Sequence, residues 1–180
     1  SFAGVEWGVD ETAERLIRSR IIEPVIVVAV ANIGEDRVHE YTPTPGVIEA
    51  KGKKKKRSRG LARLYGHFLM EELKPYIDSH FSVATGPEHT AVMGSSMGGL
   101  ISMYAISEYP QVFGAAACVS THWPGIFTVE NNPIPQAFFD YMRTALPDPA
   151  THRMYFDYGT ATLDALYPPL QKKVDEVLVE

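Results

Sequence analysis

The chain has 180 residues, with 17 basic against 22 acidic, a formal charge of −5 and a hydrophobic fraction of 45%. That length predicts one domain with a sizeable core, since a chain near this size buries roughly 70% of its extended surface. The composition excludes global disorder, no apolar stretch is long enough to cross a bilayer, and the single Cys118 excludes an internal disulfide.

Asp10 and Glu11 open a helical pattern with Ala13, Leu16 and Ile17 on one face, and Arg18 and Arg20 near its end suit the helix dipole. Val25-Ile26-Val27-Val28-Ala29-Val30-Ala31 does not alternate, as expected of a parallel strand covered on both faces. Asn32 to Gly60 reads as irregular, with Pro43, Pro45 and Gly46 followed by Lys51, Lys53, Lys54, Lys55, Lys56, Arg57 and Arg59. A run like this binds nucleic acid or anionic lipid, or forms a solvated loop whose like charges repel. A mobile loop over about 44–60 is the expectation. No aromatic residue interleaves the run and the rest of the chain is acidic, which argues against nucleic acid and against a membrane.

Leu61, Leu64, Tyr65, Phe68, Leu69 and Leu73 repeat at helical spacing, and Pro75 should kink or end that helix. Ala91-Val92-Met93 is a short strand before Gly94-Ser95-Ser96-Met97-Gly98, and a helical pattern follows to Tyr109, where Pro110 stops it. Ala115 to Val119 and Arg153 to Tyr158 are two further strands. Between them lies a Pro-rich, aromatic stretch, Trp123 to Pro149, with one helix around Gln136 to Thr144. Strands alternating with helices imply a mostly parallel sheet with helices on both faces. The chain starts at Ser1 without an initiator Met or signal-type segment and reaches Glu180 within an amphipathic pattern. A single domain over 1–180, cut or processed at both ends, is expected.

A Ser between two glycines at a strand-to-helix junction suggests a nucleophile elbow, a turn so sharp that only small residues fit two before and two after the Ser. Ser96 fits, whereas Ser95 has Met93 and Met97 at those positions. The turn lifts the hydroxyl clear of the sheet and aims the backbone N–H of Met97 at a developing oxyanion. A seryl hydroxyl needs a base, and the base needs an acid to orient it. On folds with this turn the chain order is Ser, acid, His. Asp157 and Asp164 compete for the acid; Asp164 is preferred because it lies in the loop at the carboxyl end of a strand, where open α/β sheets gather their sites. The alternative for Asp164 is a turn or helix-cap carboxylate.

The base is the difficulty. His39, His67, His80, His89, His122 and His152 all precede Asp164, and no His follows it. Either the base lies beyond this chain, or a partner segment supplies it, or an earlier His substitutes. His122 is the best of these, since it follows the strand next to the Ser96 turn. Its other reading is a pocket-lining or surface residue. His67 and His80 read as helix-surface residues and His89 as a strand-entry residue. Trp7, His122, Trp123 and Phe138-Phe139 are candidates for a substrate pocket, with core packing as the alternative for the aromatics. Cys118, inside the apolar run from Ala115 to Val119, reads as a buried and inert thiol. No His, Asp and Glu cluster has metal-ligand spacing, so no metal or other cofactor is expected.

The stretch from Glu23 to about Leu170 resembles the esterase D-like family of the α/β-hydrolases, which includes siderophore, feruloyl and acetyl-xylan esterases and S-formylglutathione hydrolases. The resemblance rests on Arg37-Val38-His39-Glu40-Tyr41-Thr42-Pro43, on Glu72-Leu73-Lys74-Pro75-Tyr76-Ile77, on Gly94 to Gly99 with Tyr109-Pro110, and on Tyr155-Phe156-Asp157-Tyr158-Gly159-Thr160. It implies a three-layer α/β-hydrolase sandwich, incomplete at both ends here, with Ser96 as nucleophile and Asp164 where the family often keeps its acid. It also implies early strands and a second oxyanion donor before Ser1, and a catalytic His after Glu180. The activity implied is hydrolysis of a small-molecule carboxylic ester through an acyl-enzyme. Acyl transfer to another acceptor, or a non-catalytic binding protein on the same fold, are the alternatives. The sequence gives no compartment or oligomeric state.

Overall fold

The computed structural model describes residues 6–34, 37–43, 61–125 and 130–180. The basic run and the loop expected over 44–60 lie outside the described residues. The chain divides by its contacts into an N-terminal unit, Ser1–Asn32, and a larger unit, Ile33–Glu180.

The N-terminal unit holds helix α1, Val9–Arg18, with Asp10 and Glu11 in its first turn and Arg15 and Arg18 in its last. The segment from Val25 to Ala31 is a correction to the sequence reading. It is not a strand, and Val25 to Val28 are exposed, Val25 by 52%. β-branched residues favour a strand through contacts with cross-strand neighbours, and without a paired partner the preference has nothing to act on.

The larger unit is built on a three-stranded parallel sheet. Its strands are β1 (Ala91–Ser95), β2 (Ala115–Val119) and β3 (Arg153–Phe156), side by side in that order. Gly94 aligns with Cys118, and Cys118 with Phe156. Helix α5, Met97–Glu108, packs against β1 and β2. Ten consecutive residues from Met97 to Ile106 are buried, so α5 is the central element of the core. Cys118 lies on the sheet face toward α5 and is fully buried. Met93 and Tyr155, on the other face, are 54% and 57% exposed.

Three shorter helices come before the sheet: α2 (Arg37–Tyr41), α3 (Leu61–His67) and α4 (Lys74–His80). A π-helical turn, Phe68–Leu73, joins α3 to α4. Pro75 therefore does not end the helical run, which continues to His80. A proline clashes with the carbonyl four residues back, and a widened turn at that point accommodates it. Helix α6, Ile134–Ala145, matches the expected helix of the aromatic stretch, and α7, Pro168–Leu178, follows β3 after a 3₁₀ turn, Thr162–Leu166.

Candidate active site

The junction between β1 and α5 consists of one residue. Ser96 has φ 60° and ψ −116°, a conformation that L-residues rarely adopt and that costs of order 1–3 kcal/mol. Hydrogen bonds on both sides hold it. Its N–H donates to the Val119 carbonyl at 2.9 Å, and its own carbonyl accepts the N–H of Gly99 at 3.0 Å and of His122 at 3.1 Å. The bend is thus fastened both to the end of β2 and to the loop leaving it. A Cβ on Gly94 would sit 2.5 Å from the Gly98 carbonyl oxygen and 2.8 Å from its Cα, so only glycine fits there. A Cβ on Gly98 would meet nothing within 4 Å. The requirement for a small residue therefore falls on one side of the serine, where the strand backbone meets the helix. Gly99 is also constrained: a Cβ there would lie 2.7 Å from the Thr121 hydroxyl. Met97 opens α5, and an N–H at that position has no intrahelical acceptor.

A second bend, at Ser120, ends β2 next to the first, with φ 43°. The two carboxylates that compete in the sequence both converge on it. Asp157 accepts the Ser120 backbone N–H at 2.9 Å, and Asp164 accepts the Ser120 hydroxyl at 2.7 Å. Asp164 Oδ2 also accepts the Gly159 N–H at 2.7 Å, and Asp157 Oδ2 the Tyr155 hydroxyl at 3.2 Å. Asp164 therefore sits in a loop closed over the carboxyl edge of β2, as its position after β3 implies.

His122 is buried, at 4% exposure, and its Nδ1 is 2.8 Å from the Tyr167 hydroxyl, with the two rings edge to face. Tyr167 is 1% exposed and is set by the turn in which its N–H reaches the Asp164 carbonyl at 2.9 Å. Burial, with the Asp164 charge behind it, pushes the phenol up to about 12. Tyr167 and His122 are thereby linked, with the Asp164 charge near the phenol. Sequence reasoning missed Tyr167. A lone tyrosine in a short turn carries no pattern, and the only available signal was its position three residues after Asp164.

The remaining candidates lie elsewhere. Trp123 is fully buried, with its ring against Phe138, Phe139 and Phe156 and its Nε1 donating to Gln171 Oε1 at 3.0 Å. Its indole is thus part of the core beneath the loop and not an open wall. Phe138 and Phe139 are buried with it. Trp7 is exposed and belongs to the N-terminal unit. A cavity of about 160 Å³ is lined by Pro124, Asn132, Pro135, Gln136, Phe139, Leu170 and Lys173, and Ser96 is not among them. His67 pairs with Glu71, His80 stacks on Tyr76, and His152 Nε2 contacts the Pro110 carbonyl. Glu6, Asp10 and Glu11 come together on the exposed start of α1, in the N-terminal unit. Cys118 is held at about 12 by burial alone, far from thiolate chemistry.

The family model described as Putative esterase matches residues 5–165. The uncharacterized protein YbbA of Bacillus subtilis is 32% identical over 93 residues, 49% of this chain and 35% of that protein. The enterobactin esterase FES of Shigella flexneri, solved in the presence of 2,3-dihydroxy-N-benzoyl-serine, superposes with a TM-score of 0.63 at 14% identity. That match covers 93% of this chain and 38% of the esterase. A ferulic acid esterase matches with a TM-score of 0.49 at 19% identity, over 64% of this chain and 50% of that one. The chain spans little more than a third of the length of the first two. The superposition on the enterobactin esterase shows the fold, that of the α/β-hydrolases.

Proposed function

Since the chain belongs to the Putative esterase family, we propose that it is a serine carboxylic ester hydrolase that works through an acyl-enzyme. The bend at Ser96 supports this most directly. A strained residue between a strand and a helix, hydrogen-bonded on both sides, is the arrangement a nucleophile elbow requires. In this reading Ser96 Oγ attacks the ester carbonyl, the carbonyl π electrons move to oxygen, and the oxyanion forms beside the Met97 N–H at the start of α5. A base takes the Ser96 proton during the attack and returns it to the departing alkoxide as the intermediate collapses, so the alcohol leaves and an ester remains on Ser96; water, deprotonated by the same base, then hydrolyses that ester.

Asp164 is the proposed acid. Its support is its place after β3 and the bonds from Ser120 and Gly159 that fix one of its oxygens. For the base, the family resemblance implies a histidine outside this chain, while within it His122 is the candidate, its backbone N–H bonded to the Ser96 carbonyl. His122 faces the same edge and remains a candidate to contact substrate, whereas Trp123 supports that loop from below. The substrate class is a small-molecule ester. Acyl transfer would use the same residues, and added alcohol acceptors would separate the two by their products. A fluorophosphonate probe followed by peptide mapping tests the nucleophile: the adduct is expected on Ser96 and lost in Ser96→Ala.

A further inference from the structure

We propose that Ser120 is a positioning residue for the reaction: its hydroxyl ties Asp164 to the strand end that also holds the bend at Ser96, and Asp157 locks Ser120 in place. The inference rests on the reading of Ser96 as nucleophile and Asp164 as its acid. Two consecutive residues at the end of β2 carry it. The Val119 carbonyl accepts the Ser96 N–H at 2.9 Å, and the Ser120 hydroxyl donates to Asp164 Oδ2 at 2.7 Å. The attacking residue and the acid are thus fastened one residue apart on the same piece of chain. The end of β2 sets where the two stand relative to each other, although 68 positions of sequence separate them.

The two carboxylates that meet at Ser120 have different tasks. Asp157 has both oxygens engaged: Oδ1 accepts the Ser120 N–H at 2.9 Å and Oδ2 accepts the Tyr155 hydroxyl at 3.2 Å. Asp164 gives one oxygen to two donors, the Ser120 hydroxyl and the Gly159 N–H, each at 2.7 Å. A carboxylate oxygen has two lone pairs, so Oδ2 is filled. Among the described residues no hydrogen bond is made to Asp164 Oδ1. That oxygen is left to accept the N–H of an imidazole, which is the acid's task beside a seryl nucleophile. Donors from two separate segments, the end of β2 and the loop after β3, hold the carboxylate against rotation. Ser120 itself has φ 43°, in the left-handed region that serine enters only at a cost. The Asp157 bond to its N–H fixes that conformation, and with it the direction of the hydroxyl. Asp157 is therefore the clamp and Ser120 the tether.

The test measures kcat and KM for p-nitrophenyl acetate in the full-length protein, with thermal melting of each variant alongside. Ser120→Ala should lower kcat by about 10- to 10²-fold with KM unchanged, the scale of a misplaced catalytic group. Asp164→Asn should lower it further, by up to about 10⁴-fold. Adding Ser120→Ala to Asp164→Asn should cost nothing more, because the hydroxyl acts only through that carboxylate. Asp157→Ala should lose as much as Ser120→Ala, and Asp157→Asn, which keeps an oxygen for the Ser120 N–H, should restore most of it. A purely structural role would lower the melting temperature and add its full effect to Asp164→Asn. Should Ser120→Ala fail to fold, Ser120→Gly removes the same hydroxyl and accepts φ 43° without strain. Ser120→Ala or Ser120→Gly at the parent kcat, or an undiminished further loss on the Asp164→Asn background, overturns the inference while Asp164 stands as the acid. Asp157→Asn falling as far as Asp164→Asn also overturns it, since Asp157 would then act by its charge. Asp164→Asn at the parent kcat, or a parent without Ser96-dependent turnover, overturns the underlying reading and the inference together.

Discussion

The backbone N–H of His122 donates to the carbonyl of Ser96 at 3.1 Å. This bond makes the loop after β2 part of the bend after β1, so the residue that would attack and His122 are held by one backbone frame. Beside it, the Ser96 N–H reaches the Val119 carbonyl. With both polar groups of the Ser96 backbone engaged, an unfavourable φ persists that an isolated chain would relax.

The two glycines flanking Ser96 are not equivalent. Gly94→Ala forces a Cβ onto the Gly98 backbone at 2.5 Å. It should cost about 1–3 kcal/mol in urea unfolding and slow Ser96 labelling, as overpacking of a tight contact does. Gly98→Ala meets nothing within 4 Å and lies in the first turn of α5. It should leave stability unchanged or raise it by up to about 1 kcal/mol, since alanine is the better helix former.

Trp123 and Gln171 form a buried pair, Nε1 to Oε1 at 3.0 Å. Gln171→Met keeps the volume but strands the indole N–H, and should cost about 1–3 kcal/mol. Adding Trp123→Phe to that variant should cost less than Trp123→Phe in the parent. A double-mutant cycle in urea measures the difference.

Cys118 should be silent to a thiol reagent at pH 8 in the folded protein and react fully in denaturant. Burial lifts its titration to about 12 and leaves no thiolate to attack. Rapid labelling of the native protein would contradict the placement of β2 under α5.

Stability should fall at alkaline pH. Burial raises Tyr104 and Tyr167 to about 12, and raises Tyr65 and Tyr141 as well. In the unfolded chain these phenols release their protons near about pH 10. Their contribution is therefore complete below about pH 10 and is lost as pH climbs toward the folded values. The urea midpoint should hold between pH 8 and 9 and drop steadily by pH 11. The phenolate absorbance of the buried tyrosines should appear only together with unfolding.

The sequence made the bend legible because it demands small residues at fixed offsets, and Gly94-x-Ser96 carries that demand. It overstated Gly98, since the helix turns away before a Cβ there meets anything. The strands at Ala91, Ala115 and Arg153 were legible from apolar runs that end at breakers. Val25 to Ala31 is a longer and more β-branched run but is unpaired, because a ladder depends on neighbours the local pattern does not encode. Trp123 reads from the sequence as a pocket candidate or a core residue, and the structure places it in the core. Its burial depends on Gln171, 48 positions on, which no local reading connects. That Asp157 and Asp164 both reach Ser120 was illegible for the same reason: it depends on the sheet bringing β3 beside β2.

Labelling with a fluorophosphonate, followed by mass mapping of the modified peptide, tests the central claim most directly. The account predicts one adduct, on Ser96, abolished by Ser96→Ala and by prior unfolding. A protein that turns over esters with Ser96→Ala intact, or that takes the probe at another residue and never at Ser96, would contradict it.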